Sequence, residues 1–431
     1  MTLMHNLTRR GWLRSAAVAV GAGSMSGWLD AFAADVSAHP QRAKSVILLW
    51  MNGGPATIDL WDLKPGHANG GPFRPIGTAV PGLQLSEHLP NLALRANELV
   101  VVRSMTTKEG DHGRATQFVK TGYMPQGAIQ FPAVGSLLAR EIGCEETDLP
   151  GFVSIAPERV AAAVGGGFLG PRFAPLVVGG RQGADPDEAL KVPNLQRLAG
   201  VSDSSQTRRI ALLNGLESRF RIARDAPVVD AVRAATAQAI RLMQPEAASA
   251  FRLDEETTAV RDSYGRNTFG QGCLLARRLV ERGVACVEVT LGGWDTHQNN
   301  FEQVKALSGT LDRAFAALLA DLAQRGLLDT TLIVCQGEFG RTPKINANTG
   351  RDHWPRSWAA VLAGGGLRGG QAVGKTSADG TAVEERPVTV PDLIATVCRS
   401  VGVDPTKQNM SNVGRPIRIA DPAAKPVQEV L

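Results

Sequence analysis

Three of the seven histidines stand beside an aspartate, in Asp111-His112, Asp295-Thr296-His297 and Asp352-His353, each with glycines close by. An imidazole and a carboxylate this close on an extended loop can turn toward one cation. Nitrogen and oxygen donors together suit zinc, manganese or iron better than calcium. Glycine lets the backbone approach an ion or an oxyanion closely. For any single pair the competing role is a turn cap or a local hydrogen bond. Three pairs together weigh toward a shared site, and Asp295-Thr296-His297 is the strongest element of it. Of the other histidines, His5 and His39 lie in or next to the N-terminal leader, and His67 and His88 lie in a Pro/Gly-rich stretch.

Positioning such loops requires a frame. Six short apolar runs read as buried strands: Val46–Met51, Leu99–Val102, Phe152–Ile155, Val284–Leu291, Thr331–Cys335 and Trp358–Ala363. They are rich in Val, Ile and Leu with little alternation, as in a parallel sheet covered on both faces. Between them, Phe301 to Leu322 carries apolar residues at three- and four-residue steps, Phe269 to Val280 repeats the pattern, and Pro391 to Gly402 frames a last helix. The alternation predicts a doubly wound α/β/α sandwich with a mostly parallel sheet. Lys64 to Leu89 reads as a surface excursion, and about 181–261 as a helical insertion in a single domain spanning 34–431.

In such sheets ligands sit beyond the carboxyl ends of the strands. Asn52-Gly53-Gly54, Asp111-His112-Gly113-Arg114, Asp295–His297, Glu338–Arg341 and Arg351–His353 all fall at predicted strand ends. Arg114, Arg341, Lys344 and Arg351 could grip a tetrahedral anion there in fork geometry. Trp50, Trp61, Trp294 and Trp354 flank these loops and could wall a sugar or aromatic ester, but packing is the favoured role for them.

Residues 1–33 read as a twin-arginine signal: Arg9-Arg10 precede an Ala/Val/Gly-rich apolar run, and Ala31-Phe32-Ala33 supplies the cleavage pattern. The route carries folded cargo, which often holds a cofactor, so an exported, periplasmic location and the twin-arginine machinery as a partner are expected. Removing the leader deletes three arginines and one aspartate and lowers the formal charge from +5 to +3. That excess is too mild for a nucleic-acid binder. No later segment has the length of a membrane span. The five cysteines are scattered without a CxxC, which points to buried free thiols.

The segments VILLWMNGGPATIDLWDLKP (46–65), VVRSMTTKEGDHGRATQFVKTGY (101–123), GGWDTHQNNF (292–301), IVCQGEFGRTPKIN (333–346) and GRDHWPRSWAAVLAGGG (350–366) resemble the exported DUF1501 family. That family in turn resembles a divergent branch of the alkaline phosphatase and sulfatase superfamily. The resemblance covers about Lys44 to Val403. It implies an α/β/α fold with a metal site at the strand ends, where phosphate or sulfate esters are hydrolysed. By position, Asp295, His297 and His353 match the superfamily's first metal site. For the second, Asn52 stands where an aspartate is usual, and Glu338-Phe339 where an Asp-His pair is usual. Arg114 and Thr121-Gly122 resemble the sulfatase nucleophile loop, with His112 at the nucleophile's place.

The expectation is therefore an exported hydrolase of small anionic phosphate or sulfate esters, dependent on one divalent transition metal (zinc or manganese) rather than two. Asp295, His297 and His353 would hold the metal, with Glu338 and Asn52 holding or replacing a second. His112 would be nucleophile or proton carrier and Arg114 the anion clamp, with Arg341, Arg351 and Asp111 on the substrate. Three readings stay open: single-metal hydrolysis by a bound water, covalent or acid/base catalysis by His112, and a non-catalytic anion- or partner-binding protein.

Overall fold

The apolar runs pair with one another. The computed structural model describes residues 43–431 apart from 144–147, 159–163, 180–184, 196–199 and 224–226. The leader read at residues 1–33, and Cys144, lie outside the described residues. Nine strands make one sheet: β1 (Ser45–Met51), β2 (Leu99–Thr106), β3 (Phe152–Ile155), β4 (Leu176–Val178), β5 (Cys286–Leu291), β6 (Thr331–Gln336), β7 (Trp358–Gly364), β8 (Gln371–Val373) and β9 (Val388–Thr389). Their spatial order is β8-β2-β7-β6-β1-β5-β3-β4, with β9 also paired to β2. β7 is antiparallel to both its neighbours, β2 and β6, and the other pairings are parallel. Six strands coincide with the runs read from the sequence. β4, β8 and β9 have only two or three residues, too few for a periodic signal.

Helices cover both faces. The principal ones are α1 (Thr57–Leu60), α2 (His112–Thr121), α3 (Val134–Ile142), α4 (Asp203–Ala223), α5 (Pro227–Leu242), α6 (Thr268–Glu281), α7 (Asn300–Gln324) and α8 (Val390–Ser400). Successive β1 side chains point to opposite faces. Ile47, Leu49 and Met51 enter a core with Phe269, Leu274 and Leu279 of α6 and Leu311, Phe315 and Leu318 of α7. Val46 and Trp50 enter the other, with Val119 of α2, Leu137 and Leu138 of α3, and Leu393 and Val397 of α8. Each such side chain withdrawn from water contributes about 1.5–3 kcal/mol. This is the doubly wound, mostly parallel α/β/α arrangement expected.

One expectation is corrected. The stretch 64–89 is not only a surface excursion. It folds back as a hairpin, Pro75–Gly77 against Gln84–Ser86. Leu85 and Leu89 are fully buried in the first core, because alternating apolar residues outweigh the local Pro and Gly content. Cys273, Cys286, Cys335 and Cys398 are all buried, and Cys273, Cys335 and Cys398 are free thiols. Among the described residues no helix is long and apolar enough to cross a membrane.

Candidate metal centre

The parallel strands β1, β2, β5 and β6 deliver four loops to the carboxyl edge of the sheet. β2 leads into α2, whose first residue is His112, capped by Asp111. β5 leads to Asp295 and His297. β6 leads to Glu338 and then to Gly340–Arg341, which pairs antiparallel with His353–Trp354, His353 opposite Arg341. The β1 loop packs onto the β5 loop through Gly53. Its φ is +111°, and an added Cβ would lie 2.4 Å from the Asp295 backbone nitrogen. Only glycine meets both demands.

Asp295 is the hub. Its Oδ1 lies 3.0 Å from His297 Nε2 and 3.4 Å from His353 Nε2, and its Oδ2 lies 3.4 Å from His112 Nε2. The two facing nitrogens, His297 Nε2 and His353 Nε2, are 3.0 Å apart. The other nitrogen of each ring meets an oxygen acceptor. His353 Nδ1 donates to the Gly110 carbonyl at 2.8 Å, His297 Nδ1 pairs with Asp352 Oδ1 at 2.9 Å, and His112 Nδ1 pairs with Glu338 Oε1 at 2.6 Å. Each outer acceptor fixes the Nδ1–H tautomer and leaves an Nε2 lone pair aimed inward, the arrangement that outer oxygens impose on metal-ligating histidines.

The donor set fits a small divalent cation on two grounds. His112 Nε2 is buried without a hydrogen-bond partner, and the two facing Nε2 atoms of His297 and His353 need a proton or a cation between them. The spacings also agree. Ligands about 2.0–2.1 Å from one ion lie about 2.9 Å apart at a right angle and about 3.4 Å apart at a tetrahedral angle. Ligand atoms of His112, Asp295 and His353 all fall within 4.8 Å of one another. Nitrogen-rich donors of this kind suit zinc, with manganese or iron next.

Arg341 supplies charge from below. It is buried, its Nη2 lies 2.5 Å from Asp295 Oδ1, and its Nη1 approaches His297 Nε2 at 3.3 Å. Burial alone would raise the Asp295 pKa; the Arg341 charge and hydrogen bond, with the histidines, bring it below the ordinary value. Burial pulls His112 down, but the Glu338 hydrogen bond and the charges of Glu338 and Asp295 raise it overall. His353 is lowered, by burial first and then by the Arg341 charge.

The structure brings together His112, Asp295, His297 and His353, with Glu338 behind His112. It turns other expected residues elsewhere. Asn52 is occupied on both sides: its Oδ1 accepts from Trp50 Nε1 at 3.1 Å, and its Nδ2 donates to Glu158 Oε2 at 2.6 Å. It is therefore placed as a bracket and not as a ligand. Arg114 is exposed and pairs with Glu109 at 2.7 Å, because its place in the first turn of α2 points it outward. Asp111 accepts from the Arg114 backbone N–H at 2.9 Å as helix cap. Arg351 is fully buried and makes five donor contacts, to Asp59 (two), Asn69, Thr342 and Pro343. A guanidinium has five N–H donors, so none is left for a substrate. Arg341 is likewise filled, by Gly53, Gly54, Asp295, His297 and the Arg351 carbonyl. Lys344 is exposed. Trp50, Trp61 and Trp294 are fully buried in packing roles, and Trp354 is half-buried.

Glu158 escaped the sequence reading, and Asp352 and Asp59 hold roles that it did not assign. Asp352 orients His297, and its contiguity with His353 disguised that role. Glu158 lies three residues past β3, a strand end open to the same inspection as the others. Its pKa is raised, by burial first and then by the Glu338 charge. Asp59, in α1, carries no local signature of its function.

Residues 43–431 match the model of the family described as protein of unknown function (DUF1501). No curated protein matches the chain. Among solved structures, the sulfatase PsFucS1 from Pseudoalteromonas sp. is 13% identical, with 86% of this chain and 70% of that one covered and a TM-score of 0.40. An alkaline phosphatase superfamily protein from Vibrio parahaemolyticus is 12% identical over 85% of this chain and 68% of that one, with a TM-score of 0.39. The alkaline phosphatase of the Antarctic bacterium TAB5 is 9% identical over 85% of this chain and all (100%) of that one, with a TM-score of 0.39.

Proposed function

We propose, from the premise that this chain belongs to the DUF1501 family, that it is an exported, metal-dependent hydrolase of small phosphate or sulfate esters. One observation carries the proposal: three imidazoles, each pinned at Nδ1, turn their Nε2 atoms onto the Asp295 carboxylate. His112, His297, His353 and Asp295 would hold one zinc or manganese ion. When bound, such an ion polarises the ester oxygen and lowers the pKa of a coordinated water. Glu338 and Asp352 hold His112 and His297 in the ligating tautomer, and Arg341 offsets the Asp295 charge. His112 thus moves from the nucleophile's place to the ligand set, which favours single-metal hydrolysis by water. The resemblance of the strand-end motifs to the alkaline phosphatase superfamily supports the ester class. Export by the twin-arginine route suits a protein that must acquire its metal before crossing.

A second reading, a non-catalytic anion- or partner-binding protein, is favoured by one observation. The donors of Arg341 and Arg351 are filled within the chain, and Arg114 points to solvent, so the expected anion clamp is not formed by these residues. Metal analysis separates the readings from a scaffold without metal. Protein recovered from the periplasm carries about one transition metal ion per chain, and Asp295→Ala carries about none. A folded, metal-free wild type sinks the proposal. With metal present, aryl phosphate and aryl sulfate turnover that disappears in Asp295→Ala supports the hydrolase, and metal without turnover supports the binding protein.

A further inference from the structure

We infer that Asp59 is a positioning residue for the metal centre, acting through Arg351 and Asn300 on the two loops that carry His297 and His353. The inference rests on the metal-site reading above and adds what assembles that site. Asp59 lies in α1 and is fully buried. Its Oδ1 accepts from Arg351 Nη2 at 2.7 Å. Its Oδ2 accepts from Arg351 Nε at 2.9 Å and from Asn300 Nδ2 at 2.7 Å. Asn300 Oδ1 in turn accepts from the Thr296 hydroxyl at 2.6 Å. The ring closes through the backbone, where Arg351 N–H donates to the Thr296 carbonyl at 3.0 Å.

Thr296 sits between Asp295 and His297, and Arg351 lies two residues before His353. The ring therefore ties together the two segments that must present Nε2 atoms 3.0 Å apart. All four members are at most 1% exposed. A buried Asp-Arg pair costs desolvation and is weak evidence for stability in itself. Its bidentate fork, however, fixes direction as well as distance. The remaining Arg351 donors reach Thr342, Pro343 and Asn69, so the same guanidinium also ties in the β6 loop and the 64–89 stretch. Gly350 completes the contact, since an added Cβ would lie 1.9 Å from the His297 carbonyl oxygen.

The test uses the full chain with 15N-labelled histidine and two readouts: ring tautomers in chelator-treated protein, and zinc affinity by chelator competition. Wild type shows a single Nδ1–H tautomer at His297 and His353. Arg351→Lys keeps the charge but loses the fork; it shows mixed tautomers and binds zinc about 10–100-fold more weakly. Thr296→Val exchanges the hydroxyl for a methyl of similar size and weakens zinc about 2–10-fold. Asp59→Asn combined with Arg351→Met removes the buried charges together, so it regains thermal stability over Asp59→Asn alone without regaining zinc affinity. Zinc affinity within about twofold of wild type in Arg351→Lys, with tautomers unchanged, overturns the inference. If Arg351→Lys does not fold, Thr296→Val decides by the same readouts. Tautomers that are single in wild type and scrambled in the variants, in a protein that takes no zinc, retire the metal reading and leave the positioning role standing.

Discussion

Two acidic residues seven positions apart on one strand and its loop behave in opposite ways. Glu288, within β5, accepts twice from Lys120 Nζ, at 2.8 and 2.7 Å, and once from Ser154 Oγ at 3.1 Å. Both side chains of that ion pair are 4% exposed, and the ammonium also lies 4.7 Å from the centre of the Trp50 ring. Asp295, beyond the end of β5, is 47% exposed. Its neighbours are a guanidinium and three Nε2 atoms whose lone pairs converge without enough protons to go round. The first cluster is electrostatically closed and holds α2 against the sheet. The second is open, and under the proposed function a cation completes it. Burial of charge alone does not mark a candidate functional site; unmet donor capacity at the strand ends does.

The largest expected effect tests the closed cluster. Glu288→Gln leaves the Lys120 ammonium buried without a charged partner and lowers unfolding free energy by about 3–5 kcal/mol, read by urea denaturation. Zinc affinity of the folded fraction stays at the wild-type value. A cost under about 1 kcal/mol, within the range of surface pairs, breaks the contrast.

Next in size, Glu338→Gln acts on the open cluster. It weakens zinc binding about 10–100-fold, or about 1.4–2.7 kcal/mol, by loosening the tautomer and orientation of His112. Unchanged affinity in chelator competition would show that Glu338 serves only the Gly53 backbone, from which it accepts at 3.0 and 3.2 Å.

The smallest effect is the pH dependence of metal-free protein. The His112 pKa is raised in the folded state, with Glu338 outweighing burial. Its contribution to stability is therefore full below the unfolded value of about 6.5 and is lost as pH rises through the folded value. The His353 pKa is lowered, by burial and Arg341. Its contribution is full above about 6.5 and is lost as pH falls through the folded value. In chelator-treated protein, the stability difference between wild type and His112→Gln is larger at about pH 5.5 than at about pH 8.5, and for His353→Gln the order reverses. Slopes of the same sign for both would show that the rings do not share one field.

Much of the frame was legible because it rests on local pattern. The runs at β1, β3 and β6 announce themselves as short continuous apolar stretches and α7 through its three- and four-residue apolar steps, and strand-end reasoning then pointed to His112, Asp295, His297, Glu338 and His353. The roles were less legible. Arg351 and Arg114 look alike as basic residues near histidines, yet one is wholly internal and the other in solvent. Asn52 looked like a ligand because the family resemblance sets it where an aspartate is usual, while its amide is held by Trp50 and by Glu158, the latter 106 positions away.

The sequence by itself determined which donor types reach the carboxyl edge of the sheet, since apolar runs mark the strands and the residues that follow each run can be read directly. The tertiary structure decided which nitrogen of each histidine faces inward and which arginines are already occupied. Those outcomes depend on hydrogen bonds between residues hundreds of positions apart, such as His112 with Glu338 and Arg351 with Asp59. A hydrogen bond is directional, and its direction is set only when both partners are held by packed elements.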